Sequence, residues 1–255
     1  FLGTRVPCFD AMQNRLAAEP FIRAAGRHYS NHPALLAWDA WNEPHARDEC
    51  LCAASRDSFT TWLKDTYGDV AAFNRLFGKR FTAFDEVPMA GYGNEYSEQL
   101  NYRLWAAHSV ASRVRWAADR LRGEDPHHPI TSHSMYCSVG QAMLDRTSVC
   151  ALTAKTVDFY GLSMPLPYDN VAGSRSCRVP ADQRYRAGLM LDWCRSISTK
   201  FWAAEIYSNP AGQYRDLNPA DLSWQFWLSV AAGAKGVFFW QYKPERLSNE
   251  SPGYG

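Results

Sequence analysis

The 255-residue sequence contains no apolar run of the roughly 20 residues that a helix needs to cross a lipid bilayer. Its first ten residues, Phe1 to Asp10, lack the basic start and the cleavage site of a secretory signal peptide. The formal net charge is only +1, so we expect neither nucleic acid nor an anionic membrane as a partner. The sequence also shows no internal repeat and no low-complexity segment, and it predicts a globular chain without a membrane partner.

A disulfide framework is missing too. The number of cysteines is odd, and their spacing is uneven, so they do not pair in an obvious way. They stand at positions 8, 50, 52, 137, 150, 177 and 194. The simpler prediction is a mostly reduced protein, some of whose thiols could hold a metal ion.

An initiating methionine is absent as well, because the sequence begins with Phe1. We interpret the chain as a fragment or a trimmed protein whose N-terminus carries no information about secretion. Localisation therefore stays open, with the cysteine usage slightly favouring the cytoplasm.

Aromatic residues are abundant, at 14% of the sequence with 10 Trp and 13 Tyr. Such residues can form core, but they also stack on the apolar faces of sugar rings. The composition is therefore a weak indication of a carbohydrate ligand.

Strand and helix patterns alternate along the chain. Short apolar runs, which are typical of strands, surround Trp38, Thr131, Phe159, Trp202 and Phe239. Helical patterns separate them, the longest from Glu98 to Arg122 with an apolar stripe that includes Leu100, Leu104 and Val114. Such alternation predicts an α/β fold with a parallel sheet and helical crossovers. The length suits one (β/α)8 barrel or most of a larger one.

A carboxylate follows the first of these strands. The run from Ala34 to Trp41 has the pattern of a strand buried on both faces, and Asn42, Glu43 and Pro44 follow it. Pro44 biases Glu43 toward an extended conformation. In barrels of parallel strands, catalytic groups lie at this end of a strand. A lone glutamate here could instead cap a backbone or face solvent.

The tetrapeptide from Trp41 to Pro44 resembles the acid/base signature of the clan of retaining glycoside hydrolases built on (β/α)8 barrels. In that clan the Glu is the general acid/base, and the preceding Asn binds the 2-hydroxyl of the sugar. The resemblance therefore implies these roles for Glu43 and Asn42.

A retaining glycosidase needs a second carboxyl group about 5 Å from the first. Glu205 lies near the end of the strand pattern from Lys200 to Tyr207. In the clan, the acid/base and the nucleophile end strands four and seven. If the Trp38 strand is number four, Glu205 ends number seven, and the resemblance implies that it is the nucleophile. A salt bridge at the end of a strand is the alternative for Glu205.

This count predicts one partial catalytic barrel domain over residues 1–255, with about strands four to eight. The first two or three strands are missing, so the fourth and eighth strands have unpaired edges.

The sequence resembles glycoside hydrolase family 42, the β-galactosidase family, from about Arg5 to Gln241. The shared segments are Arg-Val-Pro-Cys before a helix, Asn-Glu, Cys-x-Cys followed by Asp57–Leu63, Tyr67-Gly68 with Phe73-Asn74, Pro129–His133, Phe201-Trp202 before Glu205, and Gly233-Ala234 before the last strand. The resemblance implies that Arg5, one residue out of register, is the arginine beside the acid/base. It also implies a carbohydrate substrate and a homo-oligomer, which in this family is often a trimer.

The family often holds a zinc ion with four cysteines. Cys8, Cys50 and Cys52 match three of these positions, and Ser55 stands at the fourth. A structural zinc ion held by three thiolates is one interpretation. Three reduced structural cysteines are the other.

These features together predict a retaining β-glycosidase that requires no cofactor for its chemistry. Tyr207 and Trp240, near the ends of their strands, could line the sugar site or belong to the core. The family's galactose-pocket Trp is replaced by Thr82, which favours a related hydrolase acting on a mannoside, a glucoside or a plant polysaccharide as the alternative. A carbohydrate-binding pseudoenzyme and an inactive fragment are further alternatives.

Overall fold

The computed structural model describes residues 7–44, 50–89, 95–135, 150–164, 169–170, 176–207 and 216–240. The chain divides into two compact units, one of Phe1–Leu36 with His45–His128 and the other of Ala37–Pro44 with Pro129–Gly255. Within the described residues, no helix is both long and apolar enough to span a bilayer.

The described part of the first unit is helical. Its helices are α1 (Met12–Tyr29), α2 (Ala53–Tyr67), α3 (Val70–Phe77) and α4 (Tyr96–Glu124), with a 3-10 turn at Phe84–Glu86. Phe59 and Leu63 of α2, Phe73 of α3 and Trp105 of α4 are almost completely buried and share one hydrophobic cluster. Burial of these apolar side chains is the main stabilising contribution in this unit.

Helix α4 confirms the longest predicted helix, but the predicted apolar stripe is wrong at its N-terminal end. Leu100 and Leu104 are 50% and 37% exposed. Asn101, Tyr102 and Trp105 face inward instead. The two aromatic rings fill that part of the core, and the Asn101 side chain accepts a hydrogen bond from the Tyr67 hydroxyl at 2.7 Å.

The second unit contains a five-stranded parallel sheet, in the order β1-β2-β3-β6-β8. Its strands are β1 (Trp38–Asn42), β2 (Ile130–Met135), β3 (Phe159–Met164), β6 (Phe201–Tyr207) and β8 (Gly236–Trp240). A smaller sheet joins β4 (Asp169–Asn170), β5 (Ser176–Arg178) and β7 (Asp216–Leu217). In the described part, β1 and β8 are the edges of the larger sheet, which agrees with the expected unpaired edges.

Helices α5 (Ala181–Ile197) and α6 (Pro219–Ala231) belong to the same unit. Met190 and Leu191 of α5 pack with Tyr160, Leu162 and Phe201 of the sheet in a single core cluster. Asn218 followed by Pro219 predicts a helix start, and at the start of α6 the Asn218 side chain accepts a hydrogen bond from the Ala220 N–H at 2.9 Å.

The prediction that the Trp38 strand is buried on both faces is wrong. Asp39 and Asn42 are exposed, and Trp38 and Trp41 are half-buried. The physical reason is that β1 lies at an edge of the sheet and has a neighbour only on the β2 side among the described residues.

Candidate active site

The strands of the larger sheet are parallel, so their carboxyl ends all lie along the same side of the sheet. Glu43 directly follows β1, while Glu205 lies near the end of β6. Ligand-capable side-chain atoms of Glu43, His133 and Glu205 all lie within 4.8 Å of one another. The structure thus brings together the two carboxylates that the sequence suggested, with a histidine beside them.

Irregular pairing precedes both glutamates. On β1 and β2, Asp39 pairs with Thr131 but Asn42 pairs with His133, so β1 contains one extra residue. At this point the Ser132 hydroxyl donates to the Trp41 carbonyl at 2.7 Å. An extra residue bends a strand and redirects the side chains that follow it.

The same irregularity occurs on β6. Leu162 pairs with Ala203 and Ser163 pairs with Glu205, so Ala204 is the extra residue. The pairing of β6 with β8 shifts across the same interval, between Ala203 and Ile206. Both glutamates therefore follow a bulge that redirects the chain just before the carboxylate.

The backbone of Glu43 differs from its prediction. Pro44 was expected to hold Glu43 extended, but Glu43 has a φ of 45°, in the left-handed region. Among the described residues it is the one non-glycine residue with positive φ. Such a conformation costs on the order of 1–3 kcal/mol and is concentrated at functional sites. The chain turns sharply here at the end of β1, which overrides the local preference set by Pro44.

His133 on β2 links Asp39 on β1 to Glu205 on β6. Its Nδ1 lies 3.1 Å from Asp39 Oδ2, and its Nε2 lies 3.2 Å from Glu205 Oε1. His133 is only 7% exposed, and burial on its own would lower its pKa. The hydrogen bonds and charges of Asp39 and Glu205 outweigh that effect and raise the pKa of His133 to about 10.

Sequence reasoning did not assign a functional role to His133. It placed this residue only at the end of a strand and within a segment shared with the family. The available signal was its position, because His133 ends a strand pattern as Glu43 and Glu205 do. A histidine between two carboxylates cannot be recognised without the order of the strands β1, β2, β3 and β6 in the sheet.

The other predicted site residues differ in how well the structure places them. The Tyr207 hydroxyl lies 3.5 Å from Glu205 Oε2. Trp240 pairs with Tyr207 across β6 and β8 and is half-buried. Asn42 ends β1 and is exposed. Arg5 lies outside the described residues, and all these roles stay predictions.

In the first unit, the three cysteines of the predicted zinc site converge. The sulfur atoms of Cys8, Cys50 and Cys52 all lie within 4.8 Å of one another, and those of Cys8 and Cys52 are 3.6 Å apart. Four tetrahedral thiolates around zinc lie about 3.8 Å apart, given bonds of about 2.3 Å. The three thiols therefore fit a zinc ion.

Ser55 lies beside the three cysteines. Its Oγ lies 3.2 Å from Cys8 Sγ and 3.6 Å from Cys52 Sγ, and it donates to Asp10 Oδ2 at 2.7 Å. Hydrogen bonds from Ser55, first of all from its backbone N–H, lower the pKa of Cys52 to about 7. Burial raises the pKa of Cys8. A hydroxyl oxygen thus lies at the position where the resemblance predicts a fourth thiolate.

Comparison with known proteins gives one consistent result. The family model of glycoside hydrolase family 42, described as beta-galactosidase, matches residues 2–255. Beta-galactosidase LacZ of Heyndrickxia coagulans is 28% identical over 130 residues, 48% of this chain and 19% of that protein. Beta-galactosidase BgaA of a Thermus species is 23% identical over 274 residues, 98% of this chain and 41% of that protein.

Solved structures agree on the fold. The beta-galactosidase of Halorubrum lacusprofundi superimposes with a TM-score of 0.79 at 22% identity, over 100% of this chain and 40% of that chain. The enzyme of Marinomonas ef1 gives 0.77 at 19% identity, over 100% of this chain and 41% of that chain.

The chain spans about two fifths of the proteins that it matches along its whole length. The α/β prediction is confirmed, and the fold corresponds to part of a (β/α)8 barrel. Because the family model covers nearly every residue, this chain belongs to glycoside hydrolase family 42, the β-galactosidase family.

Proposed function

We propose that the protein is a retaining β-glycosidase of the β-galactosidase type, with Glu205 as nucleophile and Glu43 as general acid/base. The observation that supports this is the approach of their carboxylates to within 4.8 Å at the carboxyl ends of β1 and β6. Retaining enzymes hold the two carboxyl groups about 5 Å apart, whereas inverting enzymes leave room for a water molecule between them.

In the first step, a Glu205 oxygen forms a bond to the anomeric carbon as the bond to the leaving oxygen breaks. Glu43 gives its proton to that oxygen, and the product is a glycosyl-enzyme. In the second step, Glu43 takes a proton from water, and the water oxygen displaces Glu205. The two inversions together retain the configuration, and no cofactor takes part.

The remaining candidates would position the sugar. By resemblance, Asn42 binds the 2-hydroxyl and Arg5 lies beside the acid/base. Tyr207 touches Glu205, and Trp240 offers an aromatic face for stacking at the end of β8. The names of the relatives favour a β-galactoside as substrate, while Thr82 in place of the family's pocket Trp favours a mannoside, a glucoside or a plant polysaccharide.

The test is hydrolysis of a panel of aryl β-glycosides by the protein expressed from its complete gene. Glu205→Ala and Glu43→Ala should each lose at least about 10³-fold in rate. Azide should restore turnover of Glu205→Ala and give the glycosyl azide of inverted configuration. Asp192→Ala, which removes an exposed partner of Arg195, is the matched control and should keep wild-type activity.

A pseudoenzyme would give a different set of results. It would bind sugars without cleaving any glycoside, and a fluorosugar would leave no covalent label on Glu205. An active wild type whose two glutamate variants retain full activity would refute the assignment of both residues.

We also propose that Cys8, Cys50 and Cys52 hold one structural zinc ion. Such an ion would fix the chain before α1 to the chain before α2 and contribute directly to folding. Metal analysis of the purified protein should give one zinc per chain, and Cys52→Ala should lose it. Cys194→Ala, at a buried core cysteine, should keep it. Zinc-free wild-type protein with an unchanged melting temperature would favour three reduced structural thiols.

A homo-oligomer, trimeric by family resemblance, completes the proposal. Light scattering of the protein from the complete gene gives the mass of the assembly directly. A monomeric mass at micromolar concentration would refute it.

A further inference from the structure

Three carboxylates surround the imidazole of His133. Asp39 contacts its Nδ1 from β1, Glu205 contacts its Nε2 from β6, and Glu43 approaches from the turn after β1. His133 itself lies on β2 and is almost fully buried. Carboxylates this close to one another repel, so a positive charge between Asp39 and Glu205 stabilises the arrangement.

The His133 side chain reaches Glu205 across β3, because β3 lies between β2 and β6 in the sheet. Gly161 of β3 pairs with His133, and a Cβ atom at Gly161 would overlap with the Cβ atoms of His133 and Ala204. The absence of a side chain at this one position leaves the space through which His133 reaches the second carboxylate.

Both ring nitrogens of His133 therefore face carboxylate oxygens. A neutral imidazole has one donor and one acceptor nitrogen, and only the imidazolium donates from both. The pKa of about 10 agrees with this protonation state at neutral pH. An imidazolium that donates from both nitrogens has no lone pair for a metal ion, so this group of residues is an ion-pair cluster and not a metal site.

We propose that His133 is a positioning residue for the nucleophile, whose imidazolium, anchored by Asp39, holds Oε1 of Glu205 so that Oε2 faces the anomeric carbon. This inference rests on the proposed function of Glu205. It adds that the orientation of the nucleophile depends on a strand that carries neither of the two catalytic carboxylates. Tyr207 contacts the other oxygen, Oε2, so His133 and Tyr207 each contact a different oxygen of the Glu205 carboxylate.

The test uses substitution of His133 in two backgrounds, with the protein from the complete gene. In the wild-type background, His133→Ala should lower kcat by about 10²-fold with little change in KM, because a misplaced nucleophile slows the bond-forming step. His133→Gln, which keeps a neutral donor, should recover part of that loss. Circular dichroism melts show whether each variant folds.

The second background is Glu205→Ala supplied with saturating azide. Azide replaces the Glu205 carboxylate, so there is no side chain left for His133 to position. The proposal expects His133→Ala to change the azide-rescued rate by less than about 3-fold, a strong departure from additivity. A merely structural role would lower both rates equally, and that result would overturn the proposal.

A spectroscopic measurement tests the charge independently of activity. Nitrogen chemical shifts of the ¹⁵N-labelled imidazole, assigned by comparison with His133→Gln, should report an imidazolium at pH 7.5. A neutral tautomer would overturn the proposal whatever the kinetics. If azide fails to rescue Glu205→Ala in an active enzyme, the proposed nucleophile is wrong and the role of His133 fails with it. If rescue succeeds but both backgrounds lose rate equally, only the role of His133 fails.

Discussion

Gly161 and His133 lie directly opposite each other on β3 and β2, and a methyl group on Gly161 would stand 2.5 Å from the His133 Cβ. The same methyl group would stand 2.8 Å from the Cβ of Ala204, the extra residue of β6. Real Cβ atoms do not approach so closely. Gly161 therefore separates the histidine from the bulge that precedes Glu205, and any side chain there must displace one or the other.

The first prediction concerns Gly161→Ala. Overpacking between two strands should lower the free energy of unfolding by about 1–3 kcal/mol. It should also reduce kcat, because either His133 or Ala204 must move. Urea denaturation and aryl glycoside hydrolysis measure the two effects.

Gly188→Ala is the matched control for that experiment. Gly188 lies inside α5, and a methyl group added to it would have no heavy atom of a neighbouring element within 4 Å. Alanine should therefore stabilise the helix by about 0.5–1 kcal/mol. Equal stability of the two alanine variants would contradict the close packing at Gly161.

The second prediction concerns Tyr207→Phe. The Tyr207 hydroxyl lies 3.5 Å from Glu205 Oε2, the oxygen that His133 does not contact. A hydrogen bond to a charged group contributes about 1.5–3 kcal/mol. Its loss should lower kcat/KM by about 10- to 100-fold while the fold is unchanged, as steady-state kinetics and circular dichroism can show. A rate within twofold of wild type would place Tyr207 in the core rather than in the sugar site.

The third prediction concerns Ser55→Cys, which would complete a set of four thiolates with Cys8, Cys50 and Cys52. We expect tighter zinc binding, measured by competition with a chromogenic chelator, because thiolate is a better zinc ligand than a hydroxyl. Ser55→Ala, which removes the oxygen without adding sulfur, should bind zinc no more tightly than wild type. Equal zinc affinity of Ser55→Cys and Ser55→Ala would show that the fourth position lies outside the metal site.

The fourth prediction is a pH dependence of stability. The pKa of His133 is raised from its ordinary value of about 6.5 to about 10 in the folded protein. The stabilisation that comes with this shift is fully present below about pH 6.5, decreases above it, and is lost once the pH has passed 10. The difference in free energy of unfolding between wild type and His133→Gln should therefore fall between these values, by at most about 1.4 kcal/mol per pH unit. A constant difference from pH 6.5 to pH 10 would contradict the raised pKa.

Sequence patterns located the strands and the two glutamates because these depend on local signals. Asn42-Glu43-Pro44 ends an apolar run, and Glu205 lies near the end of another, so these local signals, together with the strand count of the clan that the sequence resembles, suggested that the two carboxylates meet. The helix cap at Asn218 was predictable for the same reason, since a capping side chain bonds within its own turn.

Other features depend on how strands pair and were not predictable. The positive φ of Glu43 opposes the local preference set by Pro44 and arises from the turn at the end of β1. The contacts of His133 with Asp39 and Glu205 depend on the order of four strands, β1, β2, β3 and β6, together with the absence of a side chain at Gly161. The exposure of Leu100 likewise depends on which neighbouring residues of α4 fill the core.

Because of the two bulges, the positions of the two carboxylates depend on the number of residues in β1 and β6 as well as on the identity of those residues. Deleting Ala204 would remove no functional side chain and would leave Glu205 opposite Ser163, but it would take away the bend that directs the chain just before this carboxylate. In this family member, the loss of one residue that belongs to no motif would therefore move the Glu205 carboxylate relative to that of Glu43.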